Sequence, residues 1–400
     1  MITERGGSDA ADRHGFGYPD PAGAENAKNC RCRDRHGKER MDAGSRETGY
    51  DLLRILAMFM VLTLHFLSQT DSLIGCGREL TGVRFAGSAA ESLSIVAVNC
   101  FVLMSGYFLS EKGFRIEKLL LLFLQVLFYS CLIPLVLTAA GIPLHAEGLW
   151  AKAVYLLPVS SEHYWFFTSY IIMYLFSPVL SRAVRELPEK QIRGVLLLLF
   201  MLLCLVPSLS PVQLQADRYG YDPLWFLFLF LLGSFFRKYG IPVIGQGPKG
   251  LLLYLLCSAA TWLGTVLLTI LHEKTGGLAY YATVPLHYNA LFVLLGAVGL
   301  FSFFGKPGKI SAGAAKAAGW LAPLVFGVYL IHHHIDIRDR WTEWLDELFG
   351  ALSEQPLLFI LQMFGRLLIV FVLCLFLEKL RQLLFALIGK ALNLKWKKAT

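Results

Sequence analysis

From residue 50 onward the chain carries ten apolar runs, each at or near the roughly 20 residues a helix needs to cross a hydrocarbon layer. They cover approximately 50–68, 92–110, 118–140, 164–181, 193–209, 223–238, 250–271, 287–304, 318–336 and 356–388. The last is long enough to include an interfacial extension. A shorter stretch at 145–158 is too brief to span and reads as an interfacial helix. With 56% hydrophobic and only 16% charged residues and a mean hydropathy of +0.55, the chain lies outside the range of soluble domains. The expected fold is an all-α membrane protein with about ten transmembrane helices.

The net charge of +8 raises nucleic acid as a partner. The basic residues sit between apolar runs rather than along one face, so they read as topology determinants. Connections with Lys112, Arg115 and Lys118, with Arg182, Arg185, Lys190 and Arg193, with Arg237, Lys238 and Lys249, and with Lys306, Lys309 and Lys316 alternate with poorer ones. The poorer ones hold Arg78 and Arg84, Lys152, Arg218, Lys274, and Arg338 with Arg340. Basic residues mark the cytoplasmic side, so both termini are expected there. Residues 1–49, with nine acidic and nine basic side chains and few aliphatics, are expected to form a disordered cytoplasmic tail. They lack the pattern of a secretory signal. Residues 50–390 form the membrane domain, and 391–400 a basic tail.

The first run, Tyr50 to Phe66, carries an arginine and a histidine where a span should carry neither. Residues eleven apart on a helix differ in direction by about 20° and lie roughly 16 Å apart along the axis. Asp51, Arg54, Met58, Val61 or Leu62, and His65 therefore share one stripe, with Arg54 near the inner face and His65 in the outer half. Ionisable residues within a span point toward a cavity or partner. A near-neutral imidazole can take a proton from a hydroxyl and return it, which makes His65 the candidate base. The alternative is a histidine satisfied by a neighbouring helix. Arg54 can hold an entering phosphate or polar donor group, or it is a positive-inside anchor.

In the second run, Asn99 and Ser105 are candidate cavity-lining groups. Ser105 is in no nucleophile elbow, since Leu103 and Tyr107 stand at the glycine positions. Gly106 suits close helix packing. The fourth and sixth runs open with Tyr164-Trp165-Phe166 and Leu224-Trp225-Phe226. An aromatic belt accounts for both tryptophans; the alternative is a platform on which a sugar ring stacks. The ninth run ends in Tyr329-Leu330-Ile331-His332-His333-His334. Consecutive helical residues diverge by about 100°, so at most one of the three histidines faces the cavity. Cys30 and Cys32 have no second pair at zinc spacing, and no metal site is expected.

Arg54 and His65 in the setting Asp51-Leu-Leu-Arg-Ile-Leu-Ala, Phe101-Val-Leu-Met-Ser-Gly-Tyr-Phe-Leu, Tyr164-Trp-Phe and Tyr329-Leu-Ile-His332, in that order, resemble the signature of the integral-membrane acyltransferase-3 family. The resemblance extends from about residue 50 to 388. It implies transfer of an acyl group, usually acetyl, from cytosolic acyl-CoA to a hydroxyl of an extracytoplasmic glycan or lipid-linked sugar. His65 then matches the catalytic histidine and Arg54 its paired arginine. Ser105 and Gly106 match the second motif, and His332 matches the late histidine. With the chain stopping at Thr400, transfer chemistry is expected within the membrane domain. The wording is most similar to stand-alone bacterial members that O-acetylate capsule or exopolysaccharide in the cytoplasmic membrane. Lys112 and Arg115 are candidates to hold the nucleotide phosphates with Arg54. Asn99, Ser105, Trp165, Trp225, Tyr329 and His332 are candidates to hold the acceptor. The competing expectation is a glycan or lipid transporter, which would also line a path with polar groups. No repeat relates the first five runs to the last five, as many transporters would show.

Overall fold

The computed structural model describes residues 47–391 except 147, 149, 162, 211–216, 242–246 and 307. Most of the expected amino-terminal tail and of the basic carboxyl-terminal tail lies outside the described residues. The first helix begins at Glu47, inside the stretch assigned to that tail.

Among the described residues the structure is helical and without strands. Nine helices or helix pairs are long and apolar enough to cross a membrane. They are α1 (Glu47–Gln69), Gly82–Glu111, α4 (Ile116–Ala139), α6 (Trp165–Glu186), Glu189–Leu209, α10 (Pro248–Thr275), Ala279–Gly305, Ala312–His332 and Pro356–Ile388. The span Gly82–Glu111 joins α2 (Gly82–Ser94) to α3 (Ala97–Lys112). Glu189–Leu209 holds α7 (Glu189–Phe200) and α8 (Val206–Leu209), with a π-helical turn over Met201–Leu205 between them. That widened turn precedes Pro207, which has no N–H for the ladder and crowds the carbonyl one turn back. Ala279–Gly305 contains α11 (Ala279–Thr283) and α12 (Leu291–Gly305), and Ala312–His332 contains α13 (Ala312–Leu321) and α14 (Val325–His332). The apolar α9 (Pro223–Tyr239) has 17 residues, the lower end of what spans, and corresponds to the sixth run. The interfacial stretch is mostly turns around the four-residue α5 (Ala153–Leu156). α15 (Trp341–Phe349) is short, and α16 (Pro356–Ala391) is one continuous helix that takes up the expected extension.

Leucines such as Leu124, Leu135, Leu198, Leu256, Leu267, Leu361 and Leu368 stand exposed around the outside. Large exposed apolar surfaces of this kind belong against lipid rather than water. The interior is held by close helix crossings. A Cβ on Gly106 would lie 2.2 Å from the Phe230 carbonyl oxygen, and one on Gly233 would lie 2.3 Å from that of Leu103. Glycines thus allow α3 and α9 to touch backbone to backbone, and the Ser234 hydroxyl donates to the Gly106 carbonyl at 3.1 Å. Small residues at such crossings are how membrane helices associate without a hydrophobic driving force. At the start of α1, Tyr50 wedges between Tyr107 and Phe301 at ring separations of 5.2 and 4.8 Å, fixing α1 against α3 and α12.

Candidate active site

α1 presents Arg54, Met58, Val61 and His65 to one cavity of about 410 Å³, the stripe expected from helical spacing. α3 contributes Val98, Phe101, Ser105 and Phe108 on a matching stripe. α4 adds Leu122 and Gln125, α6 adds Trp165, Phe166 and Tyr170, the α13–α14 span adds Pro323, Phe326 and Tyr329, and Tyr288 lines it beside Trp165. The volume is that of an ordinary small-molecule site, and its walls are mainly apolar with a few convergent polar groups.

At one end, Arg54 pairs with Asp51 one turn earlier at 2.5 Å, and its guanidinium lies 5.3 Å from the Phe108 ring centroid. The side chain remains about one-third exposed (34%), so it has a wet side and a cavity side. Cations gather at the same end. Arg185 donates to the Ser110 carbonyl at 3.0 Å, Lys238 to the Val184 carbonyl at 2.8 Å, and Arg237 pairs with Glu111. Each sits where helix carbonyls end, the favourable place for positive charge.

At the other end, His65 Nδ1 lies 2.8 Å from His332 Nε2, and His332 Nδ1 lies 2.5 Å from the Val328 carbonyl oxygen. A carbonyl only accepts, so a neutral His332 carries its proton on Nδ1 and leaves Nε2 as an acceptor. His65 must then donate from Nδ1, and its Nε2 is left with a bare lone pair. The His333 ring stacks on the His65 ring at 4.2 Å and 12°, and Tyr329 backs His333 at 5.3 Å. His65 is therefore fixed in orientation, in tautomer and in depth. This is the logic by which a catalytic base is held by a second group that itself does not react.

The remaining candidates separate cleanly. Ser105, Trp165 and Tyr329 line the cavity; Ser105 also donates back to the Phe101 carbonyl at 2.9 Å. His332 stands behind His65 rather than on the cavity wall. Asn99 and Trp225 do not line it. Asn99 is fully buried, accepts from Trp225 Nε1 at 2.9 Å and donates to the Tyr288 carbonyl at 2.7 Å. The tryptophan expected as a sugar platform is instead a buried strut tying α9 to α3. Arg115 caps the start of α4 with an exposed side chain two turns before Leu122, and its backbone is bracketed by the Tyr174 hydroxyl. The Lys112 side chain lies outside the described residues.

Of the three consecutive histidines, two touch His65 and none is on the cavity wall. α14 ends at His332, and His333 takes a bent conformation (φ −97°, ψ 9°), so helical spacing no longer applies. His334 belongs to a separate buried cluster. It accepts from the Asp336 N–H and lies 3.4 Å from the Ser130 carbonyl. His163 accepts from the Ile335 N–H at 3.1 Å, and Asp336 accepts from the Tyr155 hydroxyl at 3.1 Å. Burial holds both imidazoles neutral, lowering His163 to about 2 and His334 to about 4. Among the described residues no group of three His, Cys, Asp or Glu side chains is arranged to hold a metal ion.

Glu378 and Arg381 form a further charged pair outside the expected site residues. Glu378 is fully buried, bonded to Arg381 at 2.6 and 2.9 Å and to the Tyr129 hydroxyl at 2.8 Å. A Cβ on Gly327 would strike it at 2.6 Å. The charges Glu378 and Arg381, one turn apart inside the last apolar run, are the signal that points to this pair.

A family model described as an acyltransferase domain, that of acyltransferase 3, matches residues 47–381. The chain belongs to the acyltransferase-3 family. No curated protein and no solved structure matches it significantly. As a family member it is a multi-pass membrane acyltransferase, and the matched span contains both His65 and Arg54 with the whole cavity between them.

Proposed function

We propose that the protein is an O-acyltransferase, and specifically an O-acetyltransferase, that carries an acyl group from cytosolic acyl-CoA to a hydroxyl of a surface polysaccharide or its lipid-linked precursor. One observation carries this reading: a histidine with a bare Nε2 lone pair and an arginine lie at opposite ends of the same cavity. The richer set of basic connections lies at the Arg54 end, which orients that end toward the cytosol. A bacterial cytoplasmic membrane, with surface glycan outside it, fits this orientation.

In the proposed reaction the nucleotide phosphates rest outside the cavity against Arg54, Arg115 and Lys112. The flexible thiol arm passes Arg54 and brings the thioester toward His65. The acceptor hydroxyl gives its proton to His65 Nε2 as its oxygen attacks the thioester carbonyl. The carbon–sulfur bond then breaks, and the proton goes from His65 to the departing thiolate. His332 accepts the Nδ1 hydrogen throughout and so stabilises the imidazolium formed in between. Apolar walls at Val61, Phe101, Phe166 and Phe326 keep bulk water from the thioester.

The test compares surface glycan from cells carrying wild type, His65→Ala and Arg54→Ala at matched membrane levels, read by mass and proton spectra for ester-linked acyl groups. Loss of a general base lowers the rate by about 10²–10⁴-fold, so the ester signal is expected to disappear with His65→Ala. An unchanged ester signal overturns the reading. Glycan of unchanged composition that is missing from the surface would support a transporter instead.

A further inference from the structure

A second cavity, of about 540 Å³, adjoins the first. It is lined by Trp165, Thr168, Ser169 and Ile172 of α6 and by Arg218, Tyr219, Tyr221 and Pro223 at the entry to α9. Trp165 lines both cavities; Tyr288 lines the first and Tyr221 the second. The three rings pack at 4.5 Å (Trp165–Tyr221), 5.8 Å (Trp165–Tyr288) and 4.7 Å (Tyr221–Tyr288). A layer of aromatic rings therefore divides the two spaces.

The turn that supplies Tyr221 is built rather than loose. Tyr219 takes a left-handed conformation (φ 62°) that a side chain of its size rarely adopts, and Gly220 follows at φ 80°. Such strain persists only where the surroundings impose it, and it gathers at ligand clamps. Here the buried Asp217 accepts from the Tyr219 N–H at 2.9 Å and from Asn289 at 2.8 Å. The Tyr288 N–H donates to the Tyr219 carbonyl at 3.0 Å, and Ser169 donates to the Tyr221 carbonyl at 3.1 Å. A Cβ on Gly220 would meet Tyr288 at 2.8 Å. The result holds the Tyr221 ring against Trp165 while leaving it 42% exposed.

Ring faces beside hydroxyl groups and a guanidinium suit a pyranose, which stacks its C–H face on an aromatic ring and hydrogen-bonds around its rim. A hydrocarbon chain would gain nothing from Thr168, Ser169 and Arg218. We propose that this second cavity binds one sugar unit of the acceptor glycan, and that Trp165 is the door between acceptor and donor. The proposal rests on the acyl-transfer reading. The sugar stacks on Tyr221, and its hydroxyl reaches His65 only when Trp165 turns aside. Until then the door keeps water from the thioester.

The experiment uses purified protein in lipid nanodiscs, acetyl-CoA as donor, and host surface polysaccharide stripped of esters by mild base and cut to oligosaccharides as acceptor. Binding is read by saturation-transfer NMR and turnover by thiol release. Thr168→Trp, which fills the second cavity, and Tyr221→Ala are expected to raise the KM for oligosaccharide at least tenfold and to remove its NMR signal. The KM for acetyl-CoA should stay within twofold, and Tyr221→Phe should retain binding. Trp165→Ala is expected to raise thiol release without acceptor, as water attacks the thioester to give acetate and CoA thiol. Unchanged oligosaccharide binding in both Thr168→Trp and Tyr221→Ala, or no binding to wild type, overturns the proposal. Binding to wild type that Thr168→Trp removes, without any ester product, sustains the sugar site and refutes acyl transfer.

Discussion

At the residue scale, the central arrangement is a histidine held by a histidine. His332 does not touch the cavity, so its part is to position His65 and to accept its Nδ1 hydrogen. His332→Ala is expected to lower kcat by about 10²-fold, at the low end of what general-base catalysis supplies, with the KM for acetyl-CoA unchanged. His332→Gln, whose amide oxygen can still accept that hydrogen, is expected to recover part of the loss. A proportional rise in KM, or no rescue by glutamine, would mean a packing role. Asn99 provides the contrast. Asn99→Ala leaves a buried indole N–H and a buried carbonyl unpaired, each costing about 1–3 kcal/mol. The protein should melt at a lower temperature while the surviving folded fraction keeps its turnover. Arg54 and His65 were legible because ionisable groups in an apolar run have few reasons to be there. Trp225 was not, because a tryptophan at a helix mouth reads the same whether it faces a sugar or a buried asparagine. His333 was hidden by the assumption that the helix runs on past His332.

At the element scale, glycines and caps decide where helices lie. Gly106→Ala would drive a methyl group against the Phe230 carbonyl at 2.2 Å, and two packed backbones cannot absorb that without separating. Overpacking of this sort costs about 1–3 kcal/mol. Gly106→Ala should therefore lower thermal stability and, by displacing the Ser105 and Phe101 stripe, lower turnover as well. Gly194→Ala, on α7 with nothing within reach of a new Cβ, is the silent comparison. The helix count and the α1 stripe were readable from hydropathy and the 3.6-residue period. The crossings were not, since they depend on which glycine meets which carbonyl. The His163–His334 cluster carries a pH signature. Both imidazoles stay neutral in the folded protein, whereas an unfolded histidine takes a proton near 6.5. Below that pH the unfolded chain binds more protons than the folded one, so stability falls as pH drops from about 6.5 toward 4 and is indifferent to these groups above it. Melting temperatures in nanodiscs between about pH 7.5 and 5 should show this decline, and His163→Gln should make it shallower, with His334 keeping its share.

At the scale of the whole molecule, the proposed reaction needs the two ends of the cavity to face different compartments. Donor chemistry at the Arg54 end and acceptor chemistry at the Trp165 end require Arg54 to face the cytosol. That orientation rests on the charge of the connections, and one reagent tests it. Cys76, between α1 and α2, is an exposed thiol, whereas Cys100, Cys204, Cys257 and Cys374 are buried. Cys30 and Cys32 are replaced by serine so that Cys76 carries the signal. A membrane-impermeant maleimide should then label Cys76 in right-side-out vesicles. A cysteine introduced at the exposed Lys190, in the first turn of α7, should react only in inverted vesicles. The reverse pattern would turn His65, Trp165 and the second cavity toward the cytosol. The acceptor would then be a cytosolic sugar rather than a surface glycan. The His65–His332 pair would keep its chemistry in either case, because its tautomers are set by the Val328 carbonyl and not by the side of the membrane.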